Sequence, residues 1–242
     1  MTNAELEKKA NEVRQSIVTA LHSAKSGHPG GSLSAADIMT YLYFEEMNVD
    51  PKNPKMADRD RFVLSKGHVA PAGVDMSAGS LGQGLSCAVG MAQAGKMDDK
   101  DYRVYAMCGD GEIQEGQIWE AAMWAGAHHL DNLTVIVDNN NLQIDGTVEE
   151  VCSPYPIDKK FEAFNFHVIN INGNDMEEIR NAFAEAKKVK GMPVAIIAKT
   201  TKGKGVSFME NQVGWHGKAP NDEQYEQAME ELKKAGEALC QK

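Results

Sequence analysis

Two stretches decide the fold: R-V-Y-A-M-C-G-D-G-E-I-Q-E-G at residues 103–116 and L-T-V-I-V-D-N-N-N-L-Q-I-D-G at residues 133–146. Each opens as an apolar, β-branched run and ends in a polar cluster, the first at Gly109-Asp110-Gly111 and the second at Asp138-Asn139-Asn140. Between them, Gln114 to His129 carries apolar residues at Ile118, Trp119, Ala122, Met123 and Ala125, the spacing of a helix laid against a sheet. Strand, crossover helix and strand make a parallel βαβ unit. Both polar clusters then fall at the carboxyl ends of neighbouring strands, where open α/β sheets bind ligands.

Residue type limits what those strand ends hold. Asp110 offers a hard carboxylate oxygen and Asn140 a neutral amide oxygen. That set is too sparse for calcium, but it suits magnesium, which keeps water and takes further oxygens from a phosphate. Gly109 and Gly111 let backbone approach such a phosphate closely, and the next helix N-terminus adds free N–H groups.

Working outward, residues 4–24 place Leu6, Ala10, Val13, Ile17, Ala20 and Leu21 at helical spacing. The helix stops at Ser26-Gly27-His28-Pro29-Gly30-Gly31, and Ser32 or Ser34 is positioned to cap the next one. Arg61-Phe62-Val63-Leu64 reads as a short strand followed by Ser65-Lys66-Gly67-His68, and the Gly- and Ala-rich residues 80–95 as a closely packed helix. Residues 141–165, with Pro154 and Pro156, form a long connection. Phe166 to Asn170 is a strand, Asn174 to Val189 a helix capped by Asn174 or Asp175, and Pro193 to Thr200 a buried strand. A Gly-rich loop follows, ending in W-H-G-K-A-P, and then a charged helix from Asn221. The sum is an α/β fold: an open, mostly parallel sheet with helices on both faces, spanning residues 1–242 as one domain.

Composition excludes several function classes. A formal net charge of -10 argues against nucleic acid or an anionic membrane as the main partner. The start of the chain lacks a signal-peptide core, and no apolar stretch reaches membrane-spanning length. The four cysteines, Cys87, Cys108, Cys152 and Cys240, lack CxxC spacing and read as reduced thiols of a cytoplasmic protein.

Glycine, aspartate, glycine, then asparagines about thirty residues later resemble the thiamine diphosphate-binding motif. S-G-H-P-G-G at 26–31, S-K-G-H at 65–68 and G-V-D-M-S-A-G-S-L-G-Q-G-L-S at 73–86 narrow the resemblance to transketolase, whose order they keep. The resemblance covers nearly the whole chain, but only that family's N-terminal, diphosphate-binding domain. It therefore implies the N-terminal subunit of a split transketolase. Such a subunit transfers a two-carbon ketol unit from a ketose phosphate to an aldose phosphate. It does so with thiamine diphosphate and magnesium, or calcium or manganese in its place. The implied partner is a second subunit carrying the pyrimidine domain, in a heterotetramer.

Carried over by motif, Asp110, Asn140 and the carbonyl of Leu142 would ligate the metal. Gly109, Gly111 and His68 would meet the diphosphate, while Gly79, Ser80 and Leu81 would line the cofactor from the other side, Gly79 near its aminopyrimidine. His28 would reach the substrate's hydroxyls and His216 would lie over the diphosphate near the reacting carbon. Glu115 resembles a subunit-interface glutamate that links two active sites; read from the residues alone, it simply favours a helix N-terminus. Gly82 and Gly84 read as close helix packing.

One departure stands out. Ala72 joins directly to Gly73, where the transketolases carry a helix and a loop with a further histidine and proline. The competing readings are a cofactor- or partner-binding module without turnover, and the equivalent half of another thiamine diphosphate enzyme such as deoxyxylulose-phosphate synthase. Ser26-Gly27-His28-Pro29 and the 73–86 stretch weigh against the latter.

Overall fold

The computed structural model describes residues 1–67 and 73–240. Its strands are β1 (Arg61–Leu64), β2 (Met76–Ser77), β3 (Val104–Gly109), β4 (Leu133–Asn139), β5 (His167–Asn172) and β6 (Val194–Lys199). They form one sheet in the order β2-β1-β3-β4-β6-β5, with every neighbouring pair parallel. The helices are α1 (Asn3–Ala24), α2 (Pro29–Ser34), α3 (Ala36–Tyr41), α4 (Gln83–Met97), α5 (Gly116–Ala127), α6 (Val148–Cys152), α7 (Ile157–Ala163), α8 (Met176–Ala186) and α9 (Asp222–Leu239).

Side chains alternate across a strand, so each central strand feeds two cores. Val104, Ala106 and Cys108 of β3, with Val135 and Val137 of β4, face α4, α5 and α7. Tyr105 and Met107 of β3, with Ile136 of β4, face α1, α3 and α8. Helices thus cover both faces, which is why β3, β4 and β6 read as continuous apolar runs.

Two local readings need correction, the Ser32/Ser34 cap and the inward placing of Met123, and two others gain detail. Ser32 and Ser34 do not cap a helix but lie inside α2, whose first residue is Pro29. Proline suits that position because its missing N–H would find no partner there anyway. Of Asn174 and Asp175, it is Asp175 that caps α8, its side chain accepting from the N–H groups of Glu177 (2.9 Å) and Glu178 (3.0 Å). The long connection after β4 holds two short helices, α6 and α7. Met123 of α5 also points away from the sheet and is 58% exposed.

A third core joins α1 and α9 to the last Gly-rich loop, with Val18, Leu33, Val206, Met209, Trp215, Ala228 and Leu232 buried together. Gly203 allows that loop to double back: its φ is +78°, and a Cβ there would come within 2.3 Å of the Met209 carbonyl oxygen.

Arg14 of α1 secures the same region. Its guanidinium grips both carboxylate oxygens of Asp37 and donates through Nε to the Lys204 carbonyl at 3.1 Å. Asp37 also accepts from Asn174 Nδ2 at 2.8 Å. Both members of the ion pair are buried, so removing one strands the other's charge, at a cost of about 3–5 kcal/mol. Asp37→Ala should therefore lower the unfolding free energy by about 3 kcal/mol or more in urea titrations; a wild-type midpoint would show that the pair is not an anchor.

Candidate functional site

The β3–β4 register pairs Gly109 with Asp138, so the two polar clusters meet at one end of the sheet. Asp110 follows β3 and is only 2% exposed. Its carboxylate accepts the N–H of Gly111 at 2.9 Å and the N–H of Asn141. Burial pushes its pKa up to about 7, and the nearby Asp138 carboxylate pushes the same way; the two N–H groups and Lys66 oppose them. Asp110 forms no ion pair among the described residues. A carboxylate buried in this way either holds a proton or is balanced by a cation.

Asn140, also buried, accepts the Leu142 N–H at its Oδ1 (3.2 Å) and donates through Nδ2 to Asp138 (3.1 Å). The Leu142 carbonyl accepts from Lys202 Nζ at 2.9 Å. Lys202 is 1% exposed and its Nζ lies 2.9 Å from Nδ1 of His216. Burial pulls its pKa down to about 8. Among the described residues no three His, Cys, Asp or Glu side chains form a metal cluster, so Asp110, Asn140 and the Leu142 carbonyl would need oxygens from a ligand to complete a shell.

Asp138 lies beneath this group and is fully buried. It pairs with the Lys66 ammonium and accepts the hydroxyls of Ser34 (2.6 Å) and Thr200. Burial would raise its pKa, but the Lys66 charge and these donors outweigh burial and hold it below the usual carboxylate value. Lys66 also donates to the Gly31 carbonyl at 2.7 Å, tying the loop after β1 to α2.

His28, at the N-terminal boundary of α2, meets His216 edge-on with ring centroids 5.5 Å apart. These two histidines thus come together although they lie at opposite ends of the chain. Gly79, Ser80 and Leu81 form an exposed loop before α4. Gly82, with φ +85°, turns the chain into α4, where a Cβ would fall 3.0 Å from Cβ of Glu115. Glu115 is exposed at the boundary of α5, so the Gly79–Leu81 loop and Glu115 share one surface. Gly84 packs against Ser65, as close helix packing requires: a Cβ there would lie 2.5 Å from Ser65 Oγ. His68 lies outside the described residues.

Glu112 had no motif of its own, yet it joins three of these loops. Its buried carboxylate accepts the Ser65 hydroxyl, the Gly82 N–H (3.0 Å) and the Gly109 N–H (3.0 Å). Lys66 and Asp138 stood in the quoted stretches without a role of their own, and Lys202 was not singled out. A charged residue closing an apolar β-branched run was the available signal for Asp138.

Similarity to known proteins points the same way as this geometry. The family model for the transketolase thiamine diphosphate binding domain matches residues 6–72 and 69–236. The chain belongs to this family. An apulose-4-phosphate transketolase subunit from Phocaeicola vulgatus is 40% identical over 269 residues, covering 97% of this chain and 96% of that protein. The 6-deoxy-6-sulfo-D-fructose transketolase subunit SqwG of Clostridium sp. (strain MSTE9) is 39% identical, covering 96% and 98%. The crystal structure of transketolase from Campylobacter jejuni superposes with a TM-score of 0.85 at 33% identity, over 96% of this chain but 43% of that one. The chain thus spans less than half of that full transketolase and nearly all of the two subunits. The family match divides at residues 69–72, and the 269-residue alignment is longer than this 242-residue chain. The relatives therefore carry residues that this chain lacks, in keeping with the short join at Ala72-Gly73.

Loss of the Glu112 carboxylate would leave a hydroxyl and two N–H groups without an acceptor, at about 1–3 kcal/mol each. Glu112→Ala should speed amide exchange at Gly82 and Gly109 by at least tenfold, roughly 1.4 kcal/mol, beyond any change in the distant β6. Exchange that rises equally everywhere would make Glu112 a general stabiliser with no particular hold on these loops.

Proposed function

We propose that this chain is the diphosphate-binding subunit of a split transketolase. It would transfer a two-carbon ketol unit between sugar phosphates with thiamine diphosphate and magnesium, in concert with a subunit carrying the pyrimidine domain. One observation carries the reading. Asp110 is a buried carboxylate without an ion pair among the described residues, and it accepts the N–H of Asn141, the residue between Asn140 and Leu142, in a transketolase-family domain.

The donor set fits a hard divalent cation: one carboxylate, one amide oxygen and one carbonyl, all oxygen. Asp110, Asn140 and Leu142 would hold it, and the cation would keep Asp110 ionised despite its burial. Manganese would fit the same oxygens, and calcium would do so only with several more from the diphosphate and water. Gly109, Gly111 and His68 would face the diphosphate, joined by Lys202, whose buried ammonium lies beside the Leu142 carbonyl. Gly79, Ser80 and Leu81 would border the cofactor's other end.

Thiamine diphosphate, when bound, supplies the nucleophilic carbon and the electron sink for carbon–carbon cleavage. The chain's own residues position the sugar and move protons. His28 and His216, in edge contact, would hold and exchange protons with the sugar hydroxyls, since imidazole gains and loses protons near neutral pH. The contact between Lys202 and Nδ1 orients the His216 ring.

The names of the two relatives specify apulose 4-phosphate and 6-deoxy-6-sulfo-D-fructose, so we take the substrate class as ketoses bearing an anionic group. Both relatives are also named as subunits, which supports a partner for this chain. Leu81 (43% exposed) and Ile144 (64%), with the half-buried Leu142, would offer apolar surface for association near the strand ends. Ile113, another apolar residue there, does not contribute, because it is buried in the core. We assign the assembly as a heterotetramer, with Glu115 at the contact between copies.

Asp110→Ala should abolish magnesium-dependent binding of thiamine diphosphate in calorimetry while circular dichroism stays native; retained affinity would end this reading. The purified chain should show no ketol transfer until the pyrimidine-domain subunit is added. Activity of the chain alone would refute the split-subunit reading. A mixture that binds cofactor without turnover would leave a binding module.

A further inference from the structure

We infer that Asp138 is the positioning residue for the proposed metal ligand Asn140, and that its carboxylate is the reason position 140 carries an amide. The inference rests on the metal reading above and adds a residue to it.

Asp138 is 0% exposed, and groups from four parts of the chain converge on it: the Lys66 ammonium, the Ser34 hydroxyl, the Thr200 hydroxyl and the Asn140 amide. An ammonium and an amide NH2 can only donate, so this carboxylate acts as an acceptor toward both. The orientation of Asn140 follows without ambiguity. Its Nδ2 must face Asp138, at 3.1 Å, and its Oδ1 must face the Leu142 N–H, at 3.2 Å. Turning the amide over would set oxygen against carboxylate and NH2 against N–H. The amide oxygen is therefore held toward the Leu142 N–H, away from Asp138. A carboxylate at 140 would bring a second charge but could not donate to Asp138. It would meet like charge at hydrogen-bonding distance.

Residues that orient metal ligands change metal affinity about ten- to a hundredfold when altered. The test is Mn2+ binding to the full chain at excess thiamine diphosphate, read from the EPR signal of free Mn2+, with thermal unfolding measured in parallel. Asp138→Asn should weaken binding about tenfold or more. In an Asn140→Ala background the same substitution should change affinity by less than about twofold, while still lowering thermal stability. Asn140→Asp should weaken binding despite its added negative charge. That variant keeps the Lys66–Asp138 pair, so it decides the question even if Asp138→Asn does not fold. Equal or tighter binding by Asn140→Asp would overturn the inference. So would an Asp138→Asn effect of the same size in both backgrounds, the mark of a merely structural role. If Asn140→Ala itself bound Mn2+ like the wild type, the metal reading would fall and the inference with it.

Discussion

A negative charge buried beneath the site is the constraint on which the rest depends. Asp138 has no access to water, and a carboxylate there is tolerable only because an ammonium and further donors surround it. Those donors come from the loop after β1, from α2 and from the residue after β6. The pair thus does more than neutralise a charge: it sets the spacing of the loops that border the strand ends. Glu112 does a similar job on the other side, joining the loop after β1 to the start of α4 and to β3. Two buried carboxylates therefore frame Asp110, which forms no ion pair among the described residues.

The framework of the fold was legible because it follows from burial on both faces. β3, β4 and β6 are covered on each side, so their β-branched runs are continuous and their polar ends abrupt. Helices longer than about three turns showed their period. α6 and α7, with five and seven residues, are too short to show one, and their segment read as a loop. Ser32 and Ser34 misled for a different reason. Hydroxyls beside a breaker cluster look like caps, but Pro29 starts the helix three residues earlier.

The candidate site was legible only where chemistry is local. Gly109-Asp110-Gly111 and Asn140 announce themselves by their neighbours in the chain. Lys66, Asp138 and Lys202 acquire meaning from partners far along the sequence: 72 residues separate Lys66 from Asp138, and 60 separate Lys202 from Leu142. No spacing rule reaches that far. His28 and His216 were found one at a time, through their motifs, and their edge contact is a product of the fold.

The anchoring of the last Gly-rich loop bears on the order of assembly. That loop carries Lys202 and His216, and it is held between α1 and α9 by a core whose members run from Val18 to Leu232. Thr19 and Tyr225, whose hydroxyls lie 3.4 Å apart, are separated by 206 residues. Contacts of such long sequence separation close late, because the intervening chain must first be ordered. On the ribosome, the motifs near residues 28, 65 and 110 emerge early, yet the surface of α1 that holds the final loop stays uncovered until α9 has been made. The docking of this loop is therefore among the last steps of folding, and a nascent chain stalled before α9 would hold its early motifs without the anchored loop that brings Lys202 and His216 to them.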